Sequence, residues 1–249
     1  MIKAEYVSHM GDDLMVVNAA RVSFAKQSEW EKVDEGLSCD DADQAFALYS
    51  ERLSDRDAKL IRYLAGHNHW TPFAHPQVSL RMSAPIFVAR QAFKHKVGFV
   101  ENEISRRYVD DEPEFYLPDA WRARPDDNKK QGSDPRRTVS GVIFRDRNSG
   151  DRWSSDPGAA VSAFYSSVLA LYEDLIDGGV APEQARMVLP QAMMTEWYWT
   201  GSLASWARFC RLRLAADAQA EISDLAACAE GHIAPLFPVS WAALAGAEA

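Results

Sequence analysis

The sequence predicts a mixed α/β fold of the α+β kind, and three observations carry that expectation. Apolar residues recur at helical spacing, most clearly after residue 156 and again towards the C-terminal end. The segment QVSLRM alternates, with Val78, Leu80 and Met82 on one side, as a strand does. A chain of 249 residues with 47% hydrophobic side chains can bury a core without staples. No repeat or low-complexity tract divides it. Residues 1–249 are therefore expected as a single domain, with a polar insertion at about 119–156.

The elements follow in order. Leu14 to Phe24 is an apolar segment. Residues 25–56 are polar and acidic and read as a helix flanked by loops. Asp57 to His67 is a helix, with Leu60, Ile61 and Leu64 at helical spacing and Gly66 to end it. HNHWTPFAHP, with two prolines, is a loop. Ala84 to Lys96 is a helix with Pro85 in its first turn. Residues 119–156 form a long surface loop, with VSGVIF as a short strand inside it. Asp156-Pro157 opens a helix that Gly178-Gly179 ends. A short helix spans Pro182 to Leu189, and QAMMTEWYWT is a strand or a buried linker. Ser202 caps a helix to about Arg213, and a last helix covers Ala218 to Ile233.

Charge and cysteine content narrow the function classes. Thirty-six acidic residues against 27 basic ones give a net charge of −9. That disfavours non-specific nucleic-acid binding and makes any basic cluster stand out. No apolar run approaches the roughly 18–20 residues of a membrane span. The N-terminal residues lack a signal peptide's apolar stretch. Cys39, Cys210 and Cys228 are odd in number and lack CxxC spacing, which suits a reduced, cytoplasmic setting.

The densest cluster of charge is RQAFKHKVGFVENEISRRY, Arg90 to Tyr108. It suits a small phosphorylated ligand, or else it is a solvated helix end. Asn102, Glu103 and Ser105 add groups able to read a polar ring. His67, His69 and His75 are close enough to suggest a metal, but no carboxylate or cysteine stands beside them at ligand spacing, so no metal is expected. Arg186 and Arg213 lie among apolar residues, where a bare guanidinium is costly. Either they pair with a core carboxylate such as Glu221, or they clamp an anionic ligand. No Gly-rich phosphate loop, GxSxG or HExxH is present, and no cysteine lies near a histidine in sequence.

Six segments in order resemble the flavin-dependent thymidylate synthases. They are NAARVSF (Asn18 to Phe24), LIRYLAGHNHWTPFAH (Leu60 to His75), APIFVARQAFKHKVGFVENEISRRY (Ala84 to Tyr108), EFYLP (Glu114 to Pro118), ARMVLPQAMMTEWYWTGSLASWARFCRLR (Ala185 to Arg213) and DAQAEI (Asp217 to Ile222). The resemblance implies an α/β fold particular to that family and a homotetramer whose active sites are each shared by several subunits. It implies FAD as cofactor and NADPH and 5,10-methylenetetrahydrofolate as co-substrates. It also implies reductive methylation of dUMP to dTMP without an enzyme cysteine nucleophile. By position, Gln91, Lys94, Glu103, Ser105, Arg106, Arg107, Arg186 and Arg213 should face dUMP. Arg213 is the catalytic candidate, favouring negative charge that develops on the pyrimidine. Ser23, Thr71, Lys94, His95, Lys96, Glu103, Ser202 and Arg208 should lie along FAD. His69 should stand near the flavin and folate end. The family signature, Arg-His-Arg followed by seven residues and Ser, is altered here. It reads Lys94-His95-Lys96, then eight residues, then Ser105. Lysine keeps the charge but loses the planar fork. The extra residue is expected to bulge the loop around Val97 to Glu101.

Overall fold

A computed structural model describes residues 1–39, 45–109, 111–125 and 132–246. Its centre is a four-stranded antiparallel sheet in the order β1-β4-β10-β5. In chain order, β1 (Lys3–Met10) leads to α1 (Asp13–Arg21) and a 3₁₀ turn, Val22–Phe24. A hairpin of β2 (Glu31–Cys39) and β3 (Ala45–Arg52) precedes α2 (Asp55–Gly66). After a second 3₁₀ turn, Thr71–Ala74, come β4 (Gln77–Pro85), α3 (Ile86–Ala92) and β5 (Phe99–Glu103). Two small hairpins follow: β6 (Arg122–Ala123) with β7 (Asp134–Thr138), and β8 (Val142–Arg145) with β9 (Arg152–Ser155). The chain closes with α4 (Pro157–Asp177), α5 (Pro182–Ala185), β10 (Met194–Ser202), α6 (Leu203–Arg213), α7 (Ala220–Ile233) and α8 (Pro238–Ala245). This is the mixed α/β class the sequence predicts.

Alternation decides what each sheet face does. Val78, Leu80, Met82 and Ala84 of β4 are fully buried, and Trp197 and Trp199 of β10 lie beside Met82 and Leu80 on the same face. Phe99 of β5 stacks on Trp199, and Trp206 and Phe209 of α6 meet the Trp199 ring edge-on. Helix α7 adds Ile222, Leu225, Ala226 and Ala229 to this core. The alternate residues, Ser79 and Arg81 of β4 with Glu196, Tyr198 and Thr200 of β10, form a polar face. There Arg81 Nε donates to Glu196 Oε2 at 3.0 Å.

Several expectations are corrected. Residues 31–39 and 45–52 form paired strands, not a helix, and the pairing slips between Asp34 and Leu37. Residues 40–44 lie outside the described part. Pro85 ends β4 in extended geometry, so α3 is confined to Ile86–Ala92 and Pro85 precedes it. The bulge expected at Val97 to Glu101 does not occur in the strand. Phe99 to Glu103 pairs in unbroken register with Gly201 to Trp197, and the irregular stretch is the Lys94–Gly98 turn. In the insertion, β8 begins at Val142, so only part of VSGVIF is strand. β1 and α8 were not anticipated. Helix α4 is also long and apolar enough, by length and composition, to cross a membrane, contrary to the expectation that no segment comes close. Its serines and tyrosines interrupt any continuous run while leaving the average apolar.

Candidate active site

Four of the expected site residues line one cleft, and several others meet at the Lys94–Gly98 turn. The cleft, of about 1140 Å³, lies over the polar sheet face, at the end where β4 runs into α3. Glu103, Ser105, Arg106 and Arg186 all line it. Strand β5 delivers Glu103 to the sheet end, where Thr195 Oγ1 donates to its Oε1 at 2.7 Å. Arg106 pairs with Asp111, 3.1 Å between Nη1 and Oδ1. Arg186 is exposed, and its Nε donates to the Glu183 carbonyl at 3.2 Å. Arg107 stands outside the lining and pairs with Glu183 at 3.1 Å. Arg81, Glu183 and Glu196, which the sequence did not mark, line the same cleft, as does Arg90 of the basic cluster. Arg90 has no ion-pair or hydrogen-bond partner through its side chain among the described residues.

The second group surrounds the Lys94–Gly98 turn where it meets α6. Ser202 caps α6 and shares a 2.8 Å hydrogen bond with Ser205 Oγ, which donates on to the Val97 carbonyl at 3.1 Å. Arg208 Nη2 donates to the same carbonyl at 2.6 Å. Lys96 pairs with Glu101, and Lys94 is exposed. The Thr71–Ala74 turn packs against α6 and α1. Ser23 is exposed in the 3₁₀ turn that ends α1. His69 is exposed beside the Tyr63 ring, 6.2 Å between centroids. Neither Gln91, Lys94 nor Arg213 lines the cleft. Gln91 donates instead to Gln219 Oε1 at 2.5 Å.

Arg213 and His95 join the second group. Arg213 Nε donates to His95 Nε2 at 3.0 Å, so the imidazole accepts there and carries its proton on Nδ1. His95 is 9% exposed and meets Phe209 edge-on. Burial, then the Arg213 and Arg208 charges, lower its pKa from 6.5 to about 4. The ring is therefore neutral at pH 7. An NMR titration should find His95 with an apparent pKa near 4. The unfolded chain takes up this proton first as pH falls below 6.5. This group's contribution to stability is thus present above 6.5 and lost as pH falls towards 4. A titration near 6.5 in the native protein contradicts this environment.

Of the two alternatives for Arg186 and Arg213, pairing with Glu221 does not occur. Glu221 is buried and takes Arg122 of β6, 2.6 Å away. That residue is 99 positions distant in sequence, which hid it from local reading.

Gly98 sets the turn, with φ of +77°, and a Cβ there would lie 2.0 Å from Ser205 Oγ. Gly98→Ala should break the Ser205 and Arg208 contacts to Val97. It is expected to weaken binding at this turn about tenfold or more and to lower the melting temperature as well, because alanine at a positive φ is strained. Unchanged FAD affinity in a titration would detach the turn from the cofactor.

The chemistry of this donor set fits a flavin dinucleotide. Lys94, Lys96 and Arg208 supply cations for a diphosphate, and Thr71, Ser23 and the neutral His95 supply polar contacts. Exposed Val22, Phe24, Trp70 and Val97 lie on the same segments and offer apolar surface for flat rings.

Comparison with known proteins gives one consistent answer. Residues 5–239 match the family described as thymidylate synthase complementing protein. The flavin-dependent thymidylate synthase of Thermus thermophilus is 33% identical over 237 residues, 95% of this chain and 73% of that protein. That of Thermosipho africanus is 34% identical over 220 residues, covering 88% of this chain and 80% of its own. Among solved structures, a UMP/dUMP methylase, PolB from Streptomyces cacaoi, bound with 5-Br dUMP, superposes with a TM-score of 0.72. It is 28% identical, and the match covers 98% of this chain and 94% of that one. The same enzyme bound with 5-Br UMP gives 0.69.

Proposed function

The chain belongs to the flavin-dependent thymidylate synthase family, an enzyme family of methyltransferases, and from that premise we propose that it converts dUMP to dTMP. The one-carbon unit comes from 5,10-methylenetetrahydrofolate and the reducing equivalents from NADPH. When bound, FAD supplies the redox step that carries those equivalents to the pyrimidine. The observation that carries this reading is the pairing of two built regions in one chain: a cleft with Ser105, Arg106 and Arg186 for a nucleotide, and a cationic turn at Lys94–Gly98 for the flavin.

The protein's own part is positioning and electrostatics. Ser105, Arg106, Arg107 and Arg186 hold the nucleotide phosphate, with Glu183 and Asp111 as placeholders on the guanidinium groups until it binds. Glu103, fixed by Thr195, and Gln91 contact nucleotide or flavin at its polar edges. Arg213 holds the pyrimidine carbonyl and stabilises negative charge there. Lys94, His95, Lys96, Ser202 and Arg208 keep the flavin, with Ser23 and Thr71 at its far end and His69 towards the folate. No cysteine attacks the uracil. In support, Cys210 is buried with Sγ 3.7 Å from the Ala226 carbonyl, and burial pushes its thiol pKa far up.

The active enzyme is a homotetramer with sites shared between subunits. Arg213 and the cleft lie in separate groups within one chain, which supports completion of each site by a second subunit. Helix α4 supports it too: Phe164 and Leu171 stay exposed on an apolar helix in which only Pro157, Val168 and Tyr172 are buried. A second reading, in which UMP is also a substrate, is favoured by the structural likeness to the UMP/dUMP methylase. Comparing turnover of dUMP and UMP separates the two.

The experiment is an anaerobic visible spectrum of the protein with FAD, followed by NADPH and dUMP. A protein-bound flavin band that NADPH bleaches is the expected result. No bound flavin under these conditions would overturn the assignment of the Lys94–Gly98 turn.

A further inference from the structure

We propose that the β8–β9 hairpin is an arm with which one copy of this chain seats on a second copy, in the groove between the 112–117 segment and α4. The proposal deepens the reading above that the active unit is a homo-oligomer, and it rests on that reading.

The hairpin belongs to the polar insertion, outside the segments that resemble the family. Its strands form a sheet of their own, and six of their eight residues are exposed, so the ribbon stands off the body. A lone two-stranded ribbon is only marginally stable in water. Alternation puts Phe144 and Trp153 on one face, where they stack at 5.9 Å between centroids. The other face carries Ile143, 66% exposed, with Arg145 and Arg152. These two arginines stand directly opposite each other, and like charges so placed repel. Neither has an ion-pair or hydrogen-bond partner through its side chain among the described residues. Asp146 of the hairpin does not relieve them, because its Oδ1 accepts from the backbone N–H groups of Asn148 and Ser149 in the tip turn.

That face matches an acidic surface with an apolar floor, and the same chain carries one. A groove of about 640 Å³ runs between the 112–117 segment and α4. Phe115 stacks on Tyr165 there, 4.9 Å between centroids, and Leu117 and Leu169 extend the apolar lining. Glu112 and Glu114 line it too, exposed and without a side-chain partner among the described residues. Two unpaired cations beside an exposed isoleucine thus face two unpaired carboxylates beside an apolar floor. None of the hairpin's residues lines the groove of its own chain. The hairpin joins α4 at its first turn, whereas the groove takes helix residues from Ser162 to Leu169. Copies with a net charge of −9 repel one another at long range, and a local match of opposite charge offsets this where they meet. Each copy carries both arm and groove, so a two-fold contact uses the match twice. Glu112 and Glu114 also line the nucleotide cleft, which puts the arm against the wall of its neighbour's site.

Sedimentation equilibrium of the protein supplied with FAD tests the contact. The arm variant combines Arg145→Glu with Arg152→Glu, and the groove variant combines Glu112→Arg with Glu114→Arg. All four positions are exposed, and melting temperatures check that both variants fold. Each variant alone is expected to assemble about tenfold or more weakly than wild type. An equal mixture of the two is expected to recover wild-type assembly. In a mixed pair the acidic arm meets a basic groove and the basic arm an acidic one. Assembly unchanged in the variants overturns the arm. Assembly weakened in both and not recovered in the mixture overturns the second copy as occupant of the groove. A wild type that stays monomeric overturns the homo-oligomer reading, and the inference with it.

Discussion

Arg213→Ala should lower turnover of dUMP by about 10²–10³-fold, the usual loss when one donor to a developing oxyanion is removed. The expectation comes from how Arg213 is held. Its Nε is committed to His95 Nε2, which orients the guanidinium and leaves the Nη groups for a ligand. Because the imidazole is neutral, it does not neutralise the guanidinium charge. Arg213→Lys should recover only part of the loss. A point ammonium cannot hold His95 and a carbonyl at once with the same geometry. Removing Arg213 also removes one of the charges that lower the His95 pKa, so that pKa should rise in Arg213→Ala. Arg52→Ala, at an exposed ion pair with Glu31, is the control and should change turnover little. Equal turnover in the two alanine variants would remove Arg213 from the chemistry.

Asp57→Ala should cost about 3–5 kcal/mol of stability, because it strands a mostly buried cation. Asp57 is 3% exposed, and the side chain of its partner Arg21 is 11% exposed. The carboxylate also accepts from Ser28 Oγ at 3.1 Å and from Ser54 Oγ at 2.9 Å. Burial works against its charge, but bonds from Arg21, Ser54 and Ser28 prevail and lower its pKa below 3.8. Its contribution is therefore full above the unfolded pKa and is lost as pH falls through the lower folded value. Urea unfolding of wild type, Asp57→Ala and Asp57→Asn at pH 7 measures it. Asp57→Asn should lie between the other two, since it keeps the shape and loses the charge. A loss under about 1 kcal/mol in Asp57→Ala would mean that Arg21 finds water or another partner on its own. The effect should reach the cofactor turn as well. Asn18 clamps Ser28 through two hydrogen bonds, so Asp57 and Asn18 together anchor the segment that presents Ser23.

What was legible in the sequence, and what was not, follows from the range of the interactions. α2, α4, α6 and α7 declared themselves because their apolar spacing and caps are local: Ser54, Asp156 and Ser202 each accept from a backbone N–H three residues on. β4 was legible from alternation alone. β5 was not, because FVENE carries three polar residues in five and only the register opposite β10 makes it a strand. β1 hid for a related reason, since Ala4 is its sole buried residue and little alternation shows. The hairpin of β2 and β3 was misread because acidic residues at 31–35 suggested a solvated helix. The family-like segments supplied Glu103, Ser105, Arg106 and Arg186, which line one cleft, whereas Gln91, Lys94, Arg107 and Arg213, expected beside the same nucleotide, do not line it. They did not reveal Arg81 and Glu196, which share a site only because β4 and β10 pair. Arg81 sat on the polar side of a legible strand, and that was the one signal that pointed to it. Glu221 with Arg122 was beyond local reading, since the partner comes from an insertion with no apolar pattern of its own.

The central claim is that this chain makes dTMP from dUMP with a flavin. Product analysis of an anaerobic reaction containing dUMP, 5,10-methylenetetrahydrofolate, NADPH and FAD tests it most directly, with each component omitted in turn. The complete mixture should yield dTMP, and none should form when the flavin, the folate or the NADPH is left out. No dTMP from a protein that has bound and reduced the flavin, or dTMP formed without flavin, would contradict the claim.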